Sequence, residues 1–150
     1  MKPDPRGAPD PWWVTGVVET EGSFFAERQG KHVVIGFSLA VRPENTAIVD
    51  ALFAFFGVGR IYETRRGFLW KVVRPEELAE LLEHFDRHPL RGSKREAYEI
   101  WREMVSLRSG TFRNAPLDAL TALAERLAAT RHTSTRTSTP DGPRVTRRKR

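Results

Sequence analysis

Residues 17–25 read VVETEGSFF and place two carboxylates, Glu19 and Glu21, directly before Gly22. Upstream, Asp10-Pro11 is a helix start, because Asp can cap the first turn and Pro is pre-set for the first helical position. Val14, Val17, Val18 and Glu21 then follow the i, i+3, i+4, i+7 spacing of one helical face. Gly22 is a stop, and Ser23, Phe24 and Phe25 suit a strand better than more helix. Both acids therefore fall in a last turn that already carries about half a negative charge and several unpaired carbonyls. Two arrangements answer that charge. Either the glutamates are simply solvated, or a divalent cation is held by a carboxylate and a helix-end carbonyl.

The elements that must position these acids fit in one domain. The chain has 150 residues, 39% of them hydrophobic, enough for one real core and too few for two. It has no cysteine, which excludes disulfides and thiolate metal sites. His84 and His88 have helical i, i+4 spacing, but no third zinc ligand lies near them in sequence. No apolar run approaches the ~20 residues of a membrane span and the first residues do not resemble a signal peptide, so a soluble, cytoplasmic protein is expected. The net charge is +6. Residues 131–150 hold seven basic residues and one acid, Asp141, which accounts for the whole excess. A nucleic-acid surface in the neutral remainder must come from segregating charge between faces.

Residues 1–11 read as a loose arm, 12–130 as the folded domain, and the polar 131–150 as a disordered basic tail. A helix over residues 12–21 precedes strands near 23–28 and 32–41, joined at Gln29-Gly30. Val33, Ile35, Phe37, Leu39 and Val41 alternate with His32, Val34, Gly36, Ser38 and Ala40, so one strand face is core and the other is small or polar. Pro43 opens a second helix with Ile48, Val49, Leu52, Phe53 and Phe56 as its stripe. A second hairpin follows over 59–64 and 68–74, and then a third helix from Pro75 that buries Leu78, Leu81, Leu82 and Phe85. Ser93 can cap a fourth helix ending near Ser106, and residues 116–129 form a fifth.

This αββαββα order predicts an α+β domain with helices on one face of a four-stranded antiparallel sheet. The other sheet face carries Glu27, Gln29, His32, Ser38, Arg60, Tyr62, Thr64 and Lys71. Such a mixed surface can read base edges and phosphates, or can be an ordinary solvated face.

The stretch VTGVVETEG over residues 14–22 resembles the signature of the LAGLIDADG homing endonucleases, and Ser23-Phe24 after it is also typical. Three further stretches match in order: FSLAV, FFGVGRIY and HPLRGSKREAYEIW. The resemblance implies two signature helices packed side by side, each contributing an acid that binds a divalent ion, usually magnesium with manganese as a substitute. Glu21 matches that acid, and the Gly22 carbonyl matches the adjoining ligand. Glu19 points about 200 degrees away around the helix, so its part is to close the helix end or the interface. Lys94 matches the family's basic active-site position.

Only one signature is present, so the resemblance implies a symmetric homodimer whose two sheets form a saddle over double-stranded DNA. Gly16 and Thr20, four apart, together with Trp13, make the expected dimer interface. The family's polar residue at the end of the second strand falls on Val41 here, with Arg42 beside it as the candidate for that role. The implied function is sequence-specific, metal-dependent double-strand cleavage by a nucleoid-associated enzyme. The alternative is a DNA-binding regulator that kept the fold and lost cleavage.

Overall fold

The computed structural model describes residues 7–110 and 117–135. Helix α1 (Pro11–Glu21) is followed by strands β1 (Gly22–Gln29) and β2 (His32–Val41), helix α2 (Thr46–Phe56), strands β3 (Arg60–Thr64) and β4 (Gly67–Val72), and helices α3 (Pro75–Arg87), α4 (Lys94–Gly110) and α5 (Leu117–Thr135). The strands form one antiparallel sheet in the order β1-β2-β4-β3. The expected α+β architecture is therefore present, with two further helices after the αββαββα core.

Local chemistry sets the boundaries. The Asp10 carboxylate accepts from the backbone N–H of Trp12 at 2.8 Å and caps α1 behind Pro11. At the other end a Cβ on Gly22 would lie 2.9 Å from the Val18 carbonyl and 3.0 Å from the Phe37 ring, so only glycine lets the chain turn there directly into β1. Gly57 ends α2 in the left-handed conformation, with φ of 67°.

The core lies between the sheet and the helices. Phe24, Phe37, Phe56, Trp70, Phe85 and Trp101 are all buried, and their rings pack edge-on or tilted for the most part. β2 continues past the last β2–β4 pair, Phe37 with Val72. The carbonyls of Gly36 and Val33 beyond that pair accept from α4, Gly36 from the Trp101 indole at 2.8 Å and Val33 from the Arg108 guanidinium.

Three expectations are corrected. α4 runs to Gly110 rather than ending near Ser106, because the Val105 face is buried and Ser109 bonds back to the Val105 carbonyl at 2.9 Å. In α3 the buried stripe takes His84 in place of Leu82, which is half-buried. α5 runs to Thr135 rather than ending near 129, and Arg131 in its last turns reaches β1. Within the expected tail, residues 136–150 lie outside the described residues.

Candidate active site

The end of α1 is where the chemistry gathers. Glu21, its last residue, is exposed, and Glu19 is half-buried. The two carboxylates diverge as their spacing requires. Glu19 Oε1 accepts from the backbone N–H groups of Arg91 and Gly92, the latter at 2.9 Å. Those amides belong to the loop that opens α4, so Glu19 locks that loop to the signature helix. A Cβ on Gly92 would stand 2.9 Å from Glu19 Oε2, so a side chain there would push the carboxylate aside.

The positive group required at the helix end is Lys94. Its ammonium donates to the Val18 carbonyl at 3.1 Å, which also accepts the Gly22 N–H, and to the carbonyl of Gly22 just past the helix, so it places a positive charge at the C-terminal end of α1. Burial lowers the Lys94 pKa from its usual value, while the charges of Glu19 and Glu21 pull it back up. The Gly22 carbonyl is thus occupied by the ammonium, and a cation could share it only once the amine turns away. Among the described residues no three acidic or histidine side chains gather into one cluster. One copy therefore offers Glu21 and backbone oxygens, a hard-donor set that suits magnesium or manganese but is short of a full shell.

Val41 pairs with Phe68 and packs on the core, so its side chain is turned away from the outer face. Arg42 follows, exposed, and its side chain makes no hydrogen bond or ion pair among the described residues. Since Gly22 pairs with Leu39, Arg42 lies three residues, about 10 Å of strand, beyond that pair.

The outer sheet face follows from the register. Gln29 pairs with His32, Ser38 with Lys71, and Arg60 with Lys71, so these side chains project together on the side opposite Phe24, Phe37 and Trp70. Glu27, Arg60, Tyr62 and Thr64 are exposed, Tyr62 by 46%. Thr64 sits in the β3–β4 turn, where its hydroxyl accepts from Arg66 N–H at 3.3 Å. The sequence reading missed Phe25, whose ring covers Gly36 at the centre of this face with Lys71 Nζ 5.3 Å above it.

Trp13, Gly16 and Thr20 share an exposed face of α1. Trp13 is 42% exposed and borders a hollow lined by Ala47, Ile48 and Ala51 of α2. Nothing lies within 4 Å of where a Gly16 Cβ would stand. The opposite face is anchored by Thr15, whose hydroxyl donates to the His88 carbonyl at 2.8 Å and accepts from His84 Nε2 at 3.0 Å. Because that hydroxyl has one proton and the carbonyl can only accept, His84 must carry its proton on Nε2.

A family model described as LAGLIDADG endonuclease matches residues 14–105, which span α1, both hairpins and most of α4. The chain belongs to the LAGLIDADG endonuclease family. Among curated relatives, the probable intron-encoded DNA endonuclease 1 of Mycosarcoma maydis is 26% identical over 131 residues, 84% of this chain and 48% of that protein. The chain spans a quarter to a half of the curated relatives it matches. The fold is shared with I-SmaMI, solved with an uncleaved DNA target in the presence of calcium ions (TM-score 0.70, 24% identity, 94% of this chain and 54% of that one). It is shared also with the homing endonuclease I-TnaI (TM-score 0.70, 21% identity), where the match covers 83% of this chain and 97% of that one. Among the described residues no helix is long and apolar enough to cross a membrane.

Proposed function

We propose that this chain is a sequence-specific double-strand DNA endonuclease that acts as a homodimer and hydrolyses phosphodiesters with a divalent metal, magnesium or manganese. The observation that carries this reading is the pairing at the end of α1: an exposed Glu21 carboxylate beside the Lys94 ammonium, at the margin of an uncovered sheet face. Glu21 would hold the metal, with the Gly22 carbonyl as a further donor when Lys94 turns to the DNA. Bound there, the cation supplies charge that offsets the scissile phosphate and makes a water more acidic. Lys94 is placed to donate to the phosphate oxygens as negative charge grows on them. The outer face binds the duplex, its Arg60, Lys71, Tyr62 and His32 offering donors to phosphates and base edges.

Two acids must meet at a double-strand cut, and one copy supplies one. The exposed Trp13, Gly16 and Thr20 face supports pairing with a second copy. A regulator that binds without cutting would share the sheet face, and the chemistry at Glu21 separates the two. The test is a cleavage selection on randomised duplex DNA in magnesium. Recovery of one preferred sequence cut on both strands is the expected result, and binding enrichment with no cut product would overturn it.

A further inference from the structure

The far end of α5 brings a second cation to the site. Arg131 is exposed and donates through Nη2 to the Ser23 hydroxyl at 3.0 Å and to the Phe24 carbonyl at 3.4 Å. Ser23 follows Gly22 and pairs with Ser38 on the outer sheet face. The anchor therefore fixes the guanidinium beside the end of α1. Between Arg131 and Lys94 lies a cleft of about 430 Å³ whose walls include Gly22, Ser23, Ser93 and Thr130. Among the described residues, two cations and three hydroxyls line it. That wall favours an anion, and it includes Gly22, the residue that follows Glu21, where the proposed reaction puts a phosphate.

We propose that Arg131 holds a backbone phosphate of bound DNA next to the scissile one, so that the last helix positions the strand for cutting. The inference rests on the endonuclease reading above and extends it to a residue that the sequence assigns to a tail. A guanidinium suits the task, because its planar fork can grip two phosphate oxygens, whereas an ammonium acts as a point charge. Arg131 is a positioning residue: it orients the strand and leaves the chemistry to Glu21 and Lys94.

The test measures binding of the whole chain to a mixed-sequence duplex across a salt series without metal, beside plasmid nicking in magnesium and thermal melting. Arg131→Ala should flatten the salt dependence of log K by about 0.9 for each copy bound, since one phosphate contact is lost. It should slow nicking about tenfold at saturating DNA, while the melting temperature falls only slightly, as it should also in Ser23→Ala, which loses the same surface tie. Arg131→Lys should restore the salt slope and only part of the nicking rate. Ser23→Ala removes the anchor and leaves the charge, so it should keep the slope. An unchanged slope in Arg131→Ala, or equal nicking losses in Arg131→Ala and Ser23→Ala with an unchanged slope, would reduce Arg131 to a structural tie and overturn the proposal. If the unaltered chain bound no duplex, the endonuclease reading itself would fall, an outcome distinct from either of these.

Discussion

The Lys94 ammonium lies 3.1 Å from the Val18 carbonyl, so a side chain from the first turn of α4 closes the last turn of α1. The contact spans 76 positions of sequence. It gives a helix that ends in two glutamates the positive charge its dipole calls for. It also stores the proposed catalytic amine within reach of Glu21.

Replacing Lys94 by Met keeps the length of the side chain and removes the charge. Nicking should fall about a hundredfold, as for the loss of one transition-state donor. The Gly22 carbonyl loses its side-chain partner at the same time, while the Val18 carbonyl keeps the Gly22 N–H, and stability should drop by about 1–3 kcal/mol. Duplex affinity should change little. Nicking rates, denaturant melts and a binding isotherm check the three parts separately.

Glu19→Ala should loosen the loop that carries Lys94. Two backbone donors, Arg91 and Gly92, lose a charged acceptor, which costs about 1–3 kcal/mol. Glu19→Gln keeps an acceptor oxygen and should retain most of that stability. Cutting should slow in Glu19→Ala with metal affinity unaltered, and cation titration of the unbound protein distinguishes this from a ligand role.

How much of this was legible from the sequence depends on the reach of each signal. Alternation in residues 32–41 was enough to place His32 and Ser38 outside, because a strand's period fixes the face and the apolar half must be buried. The turn and cap residues, Asp10, Pro11, Gly22 and Gly57, work over one or two positions and read directly. Helical spacing turns Glu19 away from Glu21, but its partners lie 72 and 73 positions on and leave no local trace. The sequence alone predicts a shorter α5, because Thr130-Arg131-His132-Thr133 is a poor helix sequence in isolation. Thr130 bonds back to the Leu127 carbonyl at 2.7 Å and Arg131 ties to β1, so tertiary contact overrides propensity there. His84 entered the buried stripe of α3 for a like reason, since Thr15 supplies its partner from 69 positions away.

That histidine makes stability depend on pH. Burial, with repulsion from His88 as the lesser cause, lowers its pKa from 6.5 to about 4. In the unfolded chain it takes a proton near 6.5, so between there and 4 the unfolded state binds more protons and folding weakens as pH falls. The full loss is on the order of 3 kcal/mol. His84→Gln should flatten the slope of stability over that window, measured by urea melts at several pH values.

Gly16→Leu separates folding from pairing. The open space at that position accepts a side chain, and a better helix former there should leave stability equal or higher by about 0.5–1 kcal/mol. The same side chain would keep a second α1 at a distance. Light scattering should show a dimer for the unaltered chain and a monomer for the variant, with double-strand cutting lost in the variant.

Glu21→Gln is the most direct test of the central claim. The substitution keeps size and hydrogen bonding at the end of α1 and removes the charge assigned to holding the cation. The measurement pairs cleavage of the selected duplex in magnesium with binding of that duplex without metal. The account expects cleavage to fall by about two orders of magnitude or more while affinity stays equal or rises, since one carboxylate no longer repels the phosphate. Cleavage that survives in Glu21→Gln would remove Glu21 from the mechanism and contradict the account.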